Sequence, residues 1–279
     1  MTEFSTPRAL DLDPAWFGDA AVPPISGEHE AVARWRGVTL TSAFQPIVAL
    51  RDHQVLGHAA RIRTPDAAPG APRDWAAIAQ SASDFEVLQR DRLARTLHAI
   101  NYRAQVAHGA RLFLRVQPRL VATVRDGHGR VFERILARLG IPTRAVVIEL
   151  PSMARGDITV LERAVASYRS LGYRVACDWT DGAEPPLNPA GAVVPDVVRL
   201  DLRYAEDADR FQRRASRVRA AGAVVLAARI ESADALAAAR DSGAELALGF
   251  HLGRPSTTRE LVTHGPSRGR APATEPATS

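Results

Sequence analysis

The stretch Val55–Arg63, VLGHAARIR, opens like a strand, passes through a glycine and closes on Arg61 and Arg63, where a loop should begin. Many enzymes place an acidic ligand at such a strand end. Here the stretch offers guanidinium groups instead, whose planar fork can hold a phosphate bidentately. Other chemistry-bearing residue types do not gather into motifs. His53, His98, His108, His128 and His251 show no H-x-x-x-H spacing, so surface or satisfied core positions are expected. Ser42, Ser152 and Ser170 lack the strand-to-helix elbow of a nucleophilic serine. DGHGR at 126–130 reads as a turn before a helix rather than a phosphate loop. Trp16, Trp35 and Trp75 read as packing anchors. Cys177, the single cysteine, excludes an internal disulfide and a thiolate cluster, and its RVACDW setting suits a small inert core residue.

The elements that must position Arg61 and Arg63 are predicted strands and helices in alternation. Strand patterns occur in TSAFQPIVAL, QVLGHAARI, ARLFLRVQP, AVVIELP, YRVACDW, DVVRLDL, AVVLAARI and LALGFHLG. Helical patterns lie in WAAIAQSASDFEVLQRDRLARTLHAINYRAQVA, VFERILARLG, TVLERAVASYRSLG, ADRFQRRASRVRAAG and ADALAAARDSGA. Short β-branched strands separated by helices fit a parallel sheet covered on both faces, and their number favours a closed (β/α)8 TIM-like barrel over an open sheet. RDHQ joins the first two strands with no room for a helix, which predicts an antiparallel pair. Residues 1–36 read as an N-terminal arm with one short helix near GEHEAVARWR, residues 37–262 as the barrel and residues 263–279 as a disordered tail. No strand end carries a dinucleotide fingerprint or P-loop.

Composition narrows the function classes. Of 279 residues, 46% are hydrophobic, enough for a buried core. The longest apolar run, AAGAVVLAA, is far short of the roughly 20 residues of a membrane span. The N-terminus has no basic start and no apolar h-region, so a cytoplasmic, stand-alone module without a membrane partner is expected. Every basic residue is arginine, which base composition explains, and the net charge of +5 is modest. The densest basic segment, RFQRRASRVRAAG at 210–222, has the period of an ordinary amphipathic helix, so nucleic-acid binding is not expected.

In order and spacing, FQPIVALRDHQVLGHAARIR, LFLRVQP, VVIELPS, SLGYRVACDW, PDVVRLDLRY, VVLAARIESADAL and LGFHLGRP resemble an EAL domain across about residues 38–260. Active members of that family hydrolyse cyclic di-GMP in a barrel whose first strand pair is antiparallel, using two divalent cations. The resemblance carries the family's positions over one by one. The glutamate of E-A-L falls on Ala59 and the leucine on Arg61, while the arginine after them persists as Arg63. The asparagine ligand falls on Arg115. The first glutamate of E-x-T-E persists as Glu149 and the second becomes Ser152. The paired aspartates fall on Asp178 and Trp179, the supporting lysine on Arg199, and the glutamate of A-E-G-V-E on Ala228, with the second persisting as Glu231. The glutamine of Q-G-Y falls on Leu248. The flexible loop after the aspartates reads DWTDGAEPP, stiffened by Pro185 and Pro186.

Glu149 and Asp178 are then a vestigial metal site, and the resemblance implies neither a metal nor another cofactor. Arginine stays protonated, so Arg199 is no base near neutral pH. The expectation is a protein that is not an enzyme, a degenerate phosphodiesterase regulating cyclic di-GMP-related signalling through an unknown partner protein. Trp179 is expected to occlude the old metal site. The alternative is a metal-independent cyclic di-GMP receptor that binds through Gln45, Arg61, Arg63, Arg115 and Glu231, with Asp201 nearby. Residual hydrolysis resting on Glu149 and Asp178 comes last. Relatives often dimerise through the helix and loop after the paired aspartates, and the rebuilt loop leaves a dimer open.

Overall fold

The computed structural model describes residues 30–35, 38–64, 83–123, 129–152, 158–188, 193–202, 208–257 and 261. Residues 1–29, the first part of the long predicted helix at 75–82, Trp16, Trp75, His128 and the expected tail at 263–279 lie outside them.

The first described strand, β1 (Ala33–Trp35), is short and pairs antiparallel with β2 (Val38–Ala49). It stands where the sequence suggested a short helix. Ala33 and Trp35 are buried and Arg34 is exposed, so three alternating residues next to a longer strand satisfy a period of two, and no helical face forms. Asn101 secures the segment: its Oδ1 accepts from the Ala31 amide at 2.7 Å and its Nδ2 donates to the Ala31 carbonyl at 2.9 Å.

The hairpin β2–β3 (Val55–Arg63) is antiparallel as expected, with Gln45 opposite Ala59. Its turn places His53 at φ 58°. Parallel strands follow: β4 (Arg111–Arg115), β5 (Val146–Leu150), β6 (Arg174–Trp179), β7 (Val197–Asp201), β8 (Val224–Ala228) and β9 (Leu246–Leu248). β9 returns to pair antiparallel with β2 and closes an eight-strand barrel, with β1 appended outside. The closed TIM-like fold of EAL type is therefore the observed one.

Helices cover most of the crossovers. α1 (Asp84–Ala107) joins β3 to β4, α2 (Pro118–Thr123) and α3 (Arg130–Leu139) join β4 to β5, and α4 (Ile158–Ser170) joins β5 to β6. α5 (Ala208–Ala220) and α6 (Ala233–Asp241) serve β7–β8 and β8–β9. Between β6 and β7 the described residues contain no helix. α3 shows how such a helix is held: Phe132, Ile135, Leu136 and Leu139 form one buried stripe, each contributing about 1.5–3 kcal/mol. Gly140, at φ 70°, ends the helix and donates its amide to the Ala137 carbonyl.

The core has two layers. Outside the strands, Leu112, Leu114, Ile148 and Val175 pack under helices; inside, Ile47, Ala59, Phe113, Val147, Ala176, Val197, Leu226 and Leu246 fill the barrel. Gly57 permits the closest contact in the wall. A Cβ there would meet the Arg111 carbonyl oxygen at 2.1 Å, so β3 and β4 approach as they do only because no side chain intervenes. Among the described residues no helix is long and apolar enough to cross a membrane.

Candidate functional site

Alternation along each strand decides which side chains reach the mouth. Phe113 fills the barrel, so Arg115, two residues on, points the same way one step higher. Applied to each strand, this rule builds a ring of Arg61, Arg115, Glu149, Asp178, Arg199, Ala228 and Leu248 at the C-terminal ends of β3 to β9, which Gln45 joins from the antiparallel β2, opposite Ala59. The register supports it, pairing Arg115 with Glu149, Asp178 with Arg199 and Ala228 with Leu248. β3 to β7 supply the charged arc. Ala228 and Leu248, both buried, close the ring on its apolar side.

The charges in the arc bind one another. Arg115 forms an ion pair and hydrogen bond with Asp178, and Arg199 stands 3.9 Å from the other Asp178 oxygen. Arg61 lies 3.7 Å from Glu149 and donates to the Ala60 carbonyl at 2.9 Å. Glu149 is 1% exposed, and among the described residues neither carboxylate oxygen has a hydrogen-bond partner. Burial alone would raise its pKa, yet Arg61, Arg199 and Arg115 together hold it below the usual carboxylate range. For Asp178 burial wins and the pKa rises, against the pull of Arg115 and Arg199. Three guanidiniums facing two carboxylates leave the arc one positive charge in excess.

The remaining predicted positions fall around this ring. Gln45 is in it, with Nε2 donating to the Gly253 carbonyl at 3.2 Å. Arg63 sits above it at the exposed end of β3, opposite Thr41. Glu231 lies off the ring on an exposed loop, 3.6 Å from Arg229. Ser152 follows β5 and is half-buried. Trp179 does not occlude the mouth: the residue after an inward Asp178 must point outward, and the indole packs with Phe211 and Val218 outside the barrel wall. Sequence reading missed Arg229, which bonds Asp201 at 3.1 Å from a left-handed backbone at φ 64°. The signal was an arginine where the resembled motif A-E-G-V-E has glycine. Of the histidines, His98 is a core residue whose Nδ1 meets Ser42 Oγ at 2.9 Å.

The donors present do not suit a pair of divalent cations. Hard cations need several oxygen ligands, whereas Glu149 and Asp178 already face guanidiniums and the neighbouring positions are Ala59, Arg115, Ala228 and Leu248. Among the described residues no three His, Cys, Asp or Glu side chains gather as a metal site. What the ring can do is hold Glu149 ionised and present three guanidiniums to an anion.

The profile of the EAL domain family matches residues 30–255. No curated protein matches the sequence. Among solved structures, the EAL enzyme Bd1971 in its cAMP- and cyclic di-GMP-bound form has a TM-score of 0.67 at 16% identity, covering 80% of this chain and 64% of its own. This chain thus spans less than two thirds of that protein. A stand-alone versatile EAL protein from Vibrio cholerae O395, bound to cyclic di-GMP, has a TM-score of 0.65 at 18% identity, covering 79% of this chain and 94% of its own. The EAL domain of Mycobacterium smegmatis DcpA has a TM-score of 0.64 at 21% identity, covering 84% of this chain and all of its own. These neighbours correct the expectation that the chain is not an enzyme, since a barrel of this shape is described as an EAL enzyme. The physical reason is that missing cation ligands bear on one route to hydrolysis. Carboxylates and guanidiniums at a barrel mouth can still move protons and stabilise phosphoryl charge.

Proposed function

The chain belongs to the EAL domain family, and on that premise we propose that it is a regulatory protein of cyclic di-GMP-related signalling that acts through a partner protein. The observation that carries this reading is the engagement of the mouth's arginines with the mouth's own carboxylates: Arg115 and Arg199 with Asp178, Arg61 with Glu149. A bis-phosphate ligand would have to break these contacts before gaining its own. Parting these partly exposed arginines from their carboxylates costs about 2–3 kcal/mol, which a ligand's own contacts must first offset. The test is a pull-down from the native host with and without added cyclic di-GMP. A partner retained in both conditions supports the reading, and loss of every specific partner refutes it.

The second reading, a cyclic di-GMP receptor, is favoured by the surplus positive charge of the arc and by the exposed Arg63. Under it Gln45, Arg61, Arg63 and Arg115 would contact the nucleotide, with Glu231 at the margin. Calorimetry separates the two: heat that disappears in an Arg61→Ala, Arg63→Ala double variant supports the receptor. Measuring linear dinucleotide in Mn²⁺-supplemented samples reports what the barrel does to any nucleotide it holds.

A further inference from the structure

We propose that the slot between α4 and α5 is a docking groove for an acidic amphipathic helix of a partner protein. The inference rests on the partner-driven reading above and gives the partner its chemistry. A parallel crossover in a (β/α)8 barrel normally lays a helix over the outer face of its strands. The β6–β7 crossover has none among its described residues, and a cavity of about 970 Å³ lies there. A helix about 10 Å wide fills such a volume over roughly two turns, so the cavity beside the described crossover residues suits one helix face.

The lining is amphipathic. Ile158 of α4, 40% exposed, and the partly buried Leu187 supply its apolar contacts, over a floor formed by the buried Trp179. Along α5, Arg210, Arg214 and Arg217 repeat at i, i+4 and i+7 and so share one helical face. That face already binds carboxylates: Asp181 bonds Arg214 at 2.9 Å and pairs with Arg210 at 2.6 Å, and Glu184 bonds Arg217. Arg214 and Arg217 also lie 5.2 Å from the Trp179 ring, which fixes their stems. The whole lining carries four arginines, Arg213 included, against Asp181, Glu184 and Glu162. The exposed pairs of Arg210 and Arg217 are each worth about 0–1 kcal/mol, so a partner's carboxylates can share or replace them at little cost. Arginine is also among the residue types that dominate binding energy at interfaces.

The charge pattern separates the occupants. Carboxylates interleaved with the arginines disfavour a nucleic-acid backbone. A second copy across a two-fold axis would present the same lining, four arginines against three carboxylates, and so no opposite net charge.

The test is fluorescence anisotropy of the full chain with two labelled helical peptides of one apolar stripe, one with glutamates and one with lysines on the flanking positions. Saturable, salt-sensitive binding of the glutamate peptide alone is expected. Arg210→Glu with Arg217→Glu should weaken it about tenfold or more, and the milder Arg217→Gln serves if the double variant does not fold. Absence of binding up to about 1 mM, or equal binding of both peptides, overturns the groove. So does a dimer in sedimentation that the Arg217 variants dissociate, since the occupant is then a second copy. A host partner captured equally by wild type and groove variants sinks the groove and leaves partner-driven regulation standing. Failure of capture altogether sinks both.

Discussion

Glu149→Gln keeps the shape of the side chain and removes the charge around which three arginines are arranged. At 3.7 Å from Arg61 the Coulomb attraction is about 4.5 kcal/mol with an effective dielectric constant of roughly 20. Two effects reduce the measurable loss. The Arg61 side chain is 36% exposed, so water screens the pair, and the substitution also removes the cost of burying the carboxylate. The expected loss is about 2–3 kcal/mol, below the roughly 3–5 kcal/mol of a fully buried pair. Urea unfolding followed by circular dichroism at neutral pH measures it. The companion variant, Arg61→Leu with Glu149→Leu, removes both charges and should recover at least half the loss, because no ion is left unpaired. Freed of its counter-charge, Arg61 in the single variant should also bind inorganic phosphate more tightly than wild type. A loss under about 0.5 kcal/mol, within the range of ordinary surface substitutions, would refute the claim that charge balance holds the ring together.

Burial depresses the pKa of His58 to about 4 and, with help from Arg61, that of His98 to about 3. A folded-state pKa below the unfolded 6.5 means full stability above pH 6.5 and loss as the pH falls towards 4; for His58 alone this is about 3 kcal/mol at pH 4. Denaturant titrations at several pH values should show that slope, and His58→Phe should flatten it. Gly57→Ala drives a methyl group into the Arg111 carbonyl and should cost more than about 3 kcal/mol or abolish folding, read as the soluble yield and melting temperature. Asn101→Ala leaves the Ala31 amide and carbonyl without their partners and should cost about 2 kcal/mol, with faster proteolytic cleavage near residue 31.

The barrel was legible because its strands are short β-branched runs and its helices have clean apolar stripes, as in Phe132, Ile135, Leu136 and Leu139. What escaped was short. β1 has three residues and exists by pairing with β2, and α2 has six and starts on Pro118, too few for a period to show. At the mouth, residue type and strand parity locate Glu149, Asp178 and the arginines. Trp179 went astray because motif position was read in place of parity, and an adjacent residue on a strand faces the other way. That arginines could pair with Glu149 and Asp178 follows from residue type, but which arginine meets which carboxylate could not be read. Arg115 meets Asp178 from two strands away, across β5, so the contact depends on barrel curvature as well as register.

The arginines supply the counter-charge that Glu149 and Asp178 require in this barrel. Glu149 is fully enclosed and Asp178 half-buried, and two carboxylates in such a place repel each other and lose hydration. Some positive charge must stand beside them. Deleting the ligands around a cation site while keeping these two carboxylates would strand both, unless cationic side chains entered with the deletions. Arg61 and Arg115 stand where the resembled motifs have leucine and asparagine, and each reaches one of the two carboxylates. The substitutions are therefore coupled through electrostatics. Restoring glutamate at Ala59 alone would add a third buried carboxylate beside Arg61, whose guanidinium already serves Glu149. That variant should gain no cation affinity while Arg61 and Arg115 remain, and should gain it only when both are replaced. Calorimetry with Mg²⁺ on Ala59→Glu, with and without Arg61→Leu and Arg115→Asn, measures this, and cation binding by the single variant would show that the two arginines are not what excludes the metal.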